Sequence, residues 1–342
     1  MTTIRDVAKQ ARVSVGTVSN VLNDSPGVRD ETRQRVLSAI ENLNYYPVAA
    51  ARSLSTQRNN TIGLIRTELR PITSQIASDP FVLDLIEGIT SAAIENSTGL
   101  TFWTTAVGPE EVTLYERLVM GRQVDGFILF AVRKNDPRIA YLKQMNFPFA
   151  VFGHDGTEDE TNWIDVDGAV GIELAVEHLV ELGHKRIGYI SPPTEQYLTH
   201  HRWSGFEAGM KKHRLAIDPS LIFEGDFSEH SGQLGAHYLL DQNDPPTAII
   251  CNNDRMAFGA MRAVQARNLI VGKDVSLVGF DDLTQARYTH PPLTTIRQPV
   301  HEIGRMLFDL LQNVINQEAT EHLSRKLIIP ELQVRQSTGP VA

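Results

Sequence analysis

Two short helices stand back to back at the start of this chain, and their spacing limits what the N-terminus can build. Thr3 precedes the apolar positions Ile4, Val7, Ala8 and Ala11, with Asp6 three residues on, a reciprocal helix start. Val13-Ser14-Val15 then reads as a turn in which Ser14 caps a second helix over Val15 to Leu22. Val18, Val21 and Leu22 stripe that helix, and Val36, Leu37, Ile40 and Leu43 stripe a third. Helices this short are marginal alone, so they are expected to stand only by packing on one another. The pattern predicts an all-α helix-turn-helix headpiece over residues 1–46.

Such a unit presents the first turns of its second helix to the major groove of DNA. Val15, Gly16 and Asn20 are expected to face base edges, with Thr17 and Ser19 nearer the phosphates and Thr3 and Ser14 at the helix starts completing the set. An Asn amide both donates to and accepts from adenine, Val15 can meet a thymine methyl, and Gly16 permits close backbone approach. A plain helical scaffold would also explain the stripes, but not the segment that follows. Tyr45-Tyr46-Pro47-Val48-Ala49-Ala50-Ala51-Arg52-Ser53-Leu54 is a run of helix formers too short to stay helical in water. As a hinge helix within 47–60, ordered on DNA, it would drive Leu54 into a minor groove as a wedge and set Arg52 and Arg58 against phosphates. A linker is the other reading of the same residues.

Thr3-Ile4-Arg5-Asp6-Val7-Ala8, Thr17-Val18-Ser19-Asn20-Val21-Leu22-Asn23, Tyr46-Pro47 and Ala51-Arg52-Ser53-Leu54 resemble the lactose- and purine-repressor (LacI/GalR) family of bacterial transcriptional regulators. Leu182-Gly183-His184-Lys185-Arg186-Ile187-Gly188, Asn253-Asp254-Arg255-Met256-Ala257-Phe258-Gly259-Ala260, Gly279-Phe280-Asp281-Asp282 and Pro292-Leu293-Thr294-Thr295-Ile296-Arg297-Gln298-Pro299 continue the likeness in family order. Together these motifs span nearly the whole chain.

The body after Asn60 supports an α/β fold from its residues alone. Ile62-Gly63-Leu64-Ile65, Leu100-Thr101-Phe102-Trp103, Gly126-Phe127-Ile128-Leu129-Phe130 and Phe149-Ala150-Val151-Phe152 are short apolar runs separated by helical stretches. Ile187-Gly188-Tyr189-Ile190, Ala248-Ile249-Ile250-Cys251 and Val275-Ser276-Leu277-Val278-Gly279 form a second series, with helices near 167–183, 198–213, 229–240 and 254–267. Two doubly wound parallel-sheet lobes follow, with a ligand crevice at the carboxyl ends of the strands. The resemblance implies a periplasmic-binding-protein-like body whose chain crosses between lobes three times, near residues 162, 291 and 322. It gives a first lobe of 61–162 plus 292–322, a second of 163–291 plus 323–340, and a C-terminal helix at 299–317 returning to the first.

The same resemblance nominates Arg202, Phe227, Asn253 and Asp281 as effector contacts in the second lobe and Phe81 in the first, with His154, Asp167, Gln196 and Gln298 carried over through loops of variable length. The mixture suits a sugar: Arg, Asn and Asp hydrogen-bond vicinal hydroxyls while an aromatic face covers the C–H side of the ring. Any such Asp could instead be a turn device, and any such Phe part of a core. Asp254 reads as the cap of the helix opening at Arg255, and Asp282 as a support behind Asp281. Two departures stand out. The family's Asn-Pro-aromatic-aromatic stretch is here Asp79-Pro80-Phe81-Val82, after a long segment at 69–76, and His154 stands where relatives often carry Asp. Asp155-Gly156-Thr157-Glu158-Asp159-Glu160 reads as a solvated loop rather than a metal site.

Charge divides unevenly. The net charge is −9, yet residues 1–60 hold eight Lys and Arg against five acids, leaving 24 against 36 for the rest. A basic head on an acidic body orients the encounter with phosphates. One cysteine, Cys251, forms no internal disulfide, and neither a secretion signal nor a membrane-spanning run is read, so a bacterial cytoplasmic, nucleoid-associated protein is expected. Catalysis is not expected. No Gly-x-Gly-x-x-Gly follows the first strand, no phosphate-cradling loop occurs, His301-Glu302-Ile303-Gly304-Arg305 lacks the second His of a zinc-protease helix, and Cys251 has no neighbouring His. No cofactor or metal is expected either.

The sequence thus predicts a DNA-binding transcriptional regulator, a repressor, controlled by a small effector, with a sugar favoured over a nucleobase or sugar phosphate. A sugar-binding protein without a DNA role is the alternative. The partners expected are a near-palindromic double-stranded operator and a second copy of the chain. With no leucine heptads after Pro330, a dimer is favoured over a coiled-coil tetramer.

Overall fold

The computed structural model describes residues 2–22, 26–45, 58–68, 79–154, 161–194, 196–316 and 323–341. Arg52, Leu54, the segment 69–76 and the loop 155–160 therefore lie outside the described residues. The chain divides into two compact units, Met1–Asn59 and Asn60–Ala342.

In the first unit, α1 (Ile4–Ala11), α2 (Val15–Leu22) and α3 (Asp30–Asn42) bury Val7, Ala8, Ala11, Val18, Val21, Val36 and Ala39 together with Tyr45. The Asp6 carboxylate accepts from the Thr3 backbone N–H at 2.8 Å and from its hydroxyl at 2.7 Å, which holds Asp6 below the usual carboxylate range. Ser14 Oγ accepts from the Thr17 N–H at 3.1 Å, capping α2. Arg12, left-handed at φ 54°, ends α1 and starts the turn. Leu37 departs from its expected place. The stripe of α3 centres on Val36 and Ala39, which turns Leu37 outward to 44% exposure.

The second unit holds two sheets. The first lobe begins with β1 (Thr61–Glu68), α4 (Pro80–Glu95), β2 (Gly99–Ala106), α5 (Pro109–Met120), β3 (Gly126–Leu129), α6 (Pro137–Gln144), β4 (Phe149–Phe152) and β5 (Trp163–Val166). The second continues through α7 (Gly168–Glu181), β6 (Ile187–Ser191), α8 (Tyr197–Lys212), β7 (Ile222–Glu224), α9 (Glu229–Leu240), β8 (Ala248–Cys251), α10 (Asp254–Ala266), β9 (Ser276–Asp281) and β10 (Thr294–Arg297). Then come α11 (Val300–Ile315), β11 (Arg325–Ile328) and β12 (Glu331–Gln333).

Among the described residues the first sheet runs β11-β5-β4-β3-β1-β2, every neighbouring pair parallel. The second runs β12-β10-β9-β8-β6-β7, parallel except for the β10–β12 edge pair. Central strands such as Gly126–Leu129 and Ala248–Cys251 are buried at every residue, as sheets covered by helices on both faces require. Helix α11 packs on α4 in the first lobe, where a Cβ at Gly88 or Gly304 would run into the facing backbone.

The strands move the crossings expected at 162, 291 and 322. The chain leaves the first sheet after Val166, returns after Arg297 and leaves again after Ile328. Trp163–Val166 therefore belongs to the first lobe, and Thr294–Arg297 to the second. These strands escaped notice because none is a continuous apolar run. Trp163-Ile164-Asp165-Val166 interposes a carboxylate, and Arg325–Ile328 is an edge exposed at three of its four residues.

Candidate functional site

On the headpiece, Val15, Gly16 and Asn20 are exposed along one side of α2, while Thr17 and Ser19 are half-buried beside them. Ser14 and Thr3 lie at the two helix starts, each hydroxyl engaged in its cap. Val15 is 42% exposed although apolar, a side chain that the packing of the three helices leaves over.

In the body, the carboxyl ends of both sheets face a cavity of about 330 Å³ between the lobes. Eight expected residues line it: Phe81, His154, Gln196, Arg202, Phe227, Asn253, Asp281 and Gln298. Asp167 does not. Its carboxylate accepts from the Val170 N–H at 3.0 Å, capping α7, and lies 3.5 Å from His201 Nε2. Two residues earlier on β5, Asp165 takes the place in the wall that was expected of Asp167.

The second-lobe wall is built around Arg202. Its guanidinium lies 3.7 Å over the Phe280 ring and donates to the Asn252 carbonyl, and Gly168 leaves room for its stem, since a Cβ there would fall 2.8 Å from Arg202 Cγ. Asn253 is the N-cap of α10, its Oδ1 accepting from the Met256 N–H at 2.8 Å and its Nδ2 donating to the Phe227 carbonyl at 3.1 Å. Asp254 is thus not the cap. Its carboxylate is buried, accepts from the Leu283 N–H at 2.7 Å and the Thr295 hydroxyl at 2.5 Å, and occupies space that a Cβ at Gly279 would fill.

Asp281 follows at φ 121° and Asp282 at φ 56°, while Phe227 stands at φ 67°. Residues other than glycine in this region are strained and persist only where their surroundings hold them. Here they are held. Gln298 Nε2 donates to Asp281 at 2.7 Å, and the Asp282 carboxylate, 2% exposed, meets Arg335 and lies 3.2 Å from Arg297 Nε. Burial raises the Asp281 carboxyl, with Arg202 opposing and Asp79 adding to the rise.

The first-lobe wall carries four rings, Phe81, Phe130, Phe152 and His154. Phe81 stacks on Phe152 at 5.9 Å, and His154 on Trp163 at 4.7 Å and 20°. His154 Nε2 lies 3.6 Å from Asp165, whose carboxyl burial pushes up to about 6. Sequence reasoning missed Asp165, His201, Asp79 and Arg255, all of which line the cavity. For Asp165 the signal was available: a carboxylate inside a strand is rarely structural filler.

A second opening of about 660 Å³ adjoins the cavity, sharing Phe81, Asp281 and Gln298 with it. It is larger, but lined by six carboxylates against two guanidinium groups, and the hydrogen-bonding side chains converge on the smaller space. Among the described residues no group of His, Cys, Asp and Glu is placed to hold a metal ion, and no helix is long and apolar enough to cross a membrane.

A three-helix headpiece with an exposed second helix, ahead of a two-lobed body with a polar cleft, defines a ligand-binding transcriptional regulator. Comparison with known proteins agrees. The model for bacterial regulatory proteins of the lacI family matches residues 3–48, and that for a periplasmic binding protein-like domain matches 176–338. The chain is 35% identical over 343 residues to the HTH-type transcriptional repressor PurR of Haemophilus influenzae strain PittEE, covering 100% of both. The lac repressor dimer bound to operator and the anti-inducer ONPF aligns with a TM-score of 0.86 at 30% identity, covering 99% of both chains. The transcriptional regulator CelR in complex with cellobiose aligns at 0.75 and 29%, covering 98% of this chain and 100% of that one. The chain belongs to the lacI family of bacterial regulatory proteins. It is a DNA-binding transcriptional repressor and not an enzyme.

Proposed function

We propose that the operator affinity of this repressor is set by a neutral sugar bound between its lobes. The observation that carries this reading is the convergence of Arg202, Asn253 and Asp281 on one cavity whose other wall is Phe81, Phe152 and His154. A sugar hydroxyl both donates and accepts, so it satisfies carboxylates, amides and a guanidinium at once, while its C–H face covers a ring. The charges favour a neutral ligand. Four lining carboxylates, Asp79, Asp165, Asp226 and Asp281, outnumber the guanidinium groups of Arg66, Arg202 and Arg255, a poor setting for a phosphate. The cellobiose bound by CelR supports the sugar class, whereas the name of PurR points to purines.

On the DNA side, Val15, Gly16 and Asn20 read bases and Thr3, Ser14, Thr17 and Ser19 meet the backbone. Two protomers pair through their bodies on a near-palindromic site, and Arg52 and Leu54 complete the contact from the hinge. The protein works in the cytoplasm. A sugar acts only if it prefers one lobe angle over another.

The test is a thermal-shift screen of neutral sugars, purine bases and sugar phosphates, followed by operator titration with each hit. A neutral sugar is expected to raise Tm by mass action and to change operator affinity. A response to purines or phosphates alone overturns the sugar reading.

A further inference from the structure

Asp79 and Arg255 belong to different lobes. Asp79 opens α4 in the first lobe and Arg255 is the second residue of α10 in the second, yet Arg255 Nη1 lies 3.6 Å from Asp79 Oδ2 across the cleft. Both side chains are largely withdrawn from water, at 19% and 11% exposure. The two oxygens of Asp79 divide their work: Oδ1 accepts from the Phe81 N–H at 3.1 Å, capping α4, while Oδ2 faces the guanidinium.

The placement of Arg255 is unfavourable on local grounds. A cation in the first turn of a helix opposes the macrodipole and gains nothing from the backbone N–H groups there. The start of α10 cannot swing aside either, because Asn253 caps it, Asp254 is anchored to Leu283 and Thr295, and Met256 is buried. Arg255 is thus aimed from a fixed mount, and the carboxylate it meets is on the other lobe.

We infer that Asp79 and Arg255 form a latch that sets the angle between the lobes, and so act as positioning residues for effector binding rather than as contacts to the effector itself. The crossings at 167, 298 and 329 are covalent and allow the lobes to turn, whereas a side-chain ion pair between lobes persists only over a narrow range of angles. Other contacts also join the lobes: the ring of His154 lies 4.7 Å from that of Tyr197 and 6.1 Å from that of His201, and a backbone bridge links Arg133 with Gln196. Charge-neutralising variants separate the latch from these. The inference deepens the proposed control by the cleft, but its test contains no effector and so stands or falls apart from the sugar reading.

Spin labels on the full-length chain at Met120→Cys and Ile270→Cys, 68% and 54% exposed on opposite lobes, report the lobe angle by pulsed electron resonance. Cys251 is buried at the end of β8 and stays unlabelled, and excess unlabelled protein removes distances between copies. Asp79→Asn, which keeps a capping oxygen, and Arg255→Gln are each expected to move the main distance peak, with the double variant matching either single one. Arg255→Lys is expected to restore the wild-type peak. Raising salt from about 0.1 M to about 1 M, which cuts the screening length from about 10 Å to about 3 Å, should move the wild type part of the way and leave the double variant unmoved. Wild-type distances in both neutral variants, shifts that add in the double variant, or equal salt responses overturn the latch.

Discussion

The two walls of the cleft are made differently. On the second lobe each polar group is fixed by something behind it: Arg202 by Phe280 and the Asn252 carbonyl, Asn253 by its cap, Asp281 by Gln298. On the first lobe the wall is distinguished by faces of rings, Phe81 on Phe152 and His154 on Trp163, which constrain height and width but leave direction open. A fixed polar wall recognises the ligand's hydrogen-bonding pattern without reorganising, and a ring wall accepts whatever apolar face remains. On the proposed sugar reading, orientation of the ligand therefore belongs to the second lobe and selection by shape to the first.

The sharpest way to break this contrast is Arg202→Met, which keeps much of the stem and removes the charge-assisted donors. Hydrogen bonds to charged groups contribute about 1.5–3 kcal/mol, so effector affinity should fall by about 10- to 100-fold. Calorimetric titration showing a loss no greater than that of Phe81→Ala would erase the distinction between the walls.

Asn253→Ala tests whether the fixed wall is fixed by capping. Loss of an N-cap costs about 1 kcal/mol, which a urea midpoint would reveal, and effector affinity should drop with it because the start of α10 loosens. Wild-type stability combined with lost affinity would make Asn253 a ligand contact and nothing more.

Asp165→Asn probes a carboxylate on the ring wall, beside Asp79 on the same lobe, with the smallest expected change. Burial raises its carboxyl to about 6 from an ordinary 3.8, so the folded state holds this proton more tightly than the unfolded chain. That contribution favours folding below pH 4 and is lost as pH rises to about 6. The variant should therefore lose this pH dependence and gain relative stability above pH 6, read from urea midpoints at pH 4.5 and 7.5. Parallel stability curves would refute it.

The sequence made one wall more legible than the other. Gly279-Phe280-Asp281-Asp282 and Asn253 sit in contiguous motifs at strand ends, so their positions could be carried over residue by residue. The ring wall is assembled from the start of α4, the end of β4 and the short strand β5, separated by loops of variable length, and Asp167 was expected where Asp165 stands, two residues away on the same segment and so on the same face of an extended chain. Arg255 was invisible for another reason. An Arg in a first helical turn reads as surface until its partner, distant in sequence, is seen. The alternating apolar runs exposed the central strands of both sheets, but not the short strands at the crossings, where burial is partial and the local signal weak.

The interleaved connectivity bears on how the molecule is born. The first sheet is completed by β11, whose last residue is Ile328, and its core by α11. A ribosome that has already released residues 61–166 has supplied five of its strands and none of α11, so the apolar face of α4 and the open edge of β5 must wait through synthesis of the whole second lobe. That delay exposes a sticky surface in the nascent chain. When Arg297 emerges the second lobe has five of its six strands and lacks β12 and the segment after it, whose Arg335 meets Asp282 and whose buried Ser337 donates to the Leu277 carbonyl. With its helices already made, it is the natural first to fold during translation and the template on which its elder sibling closes.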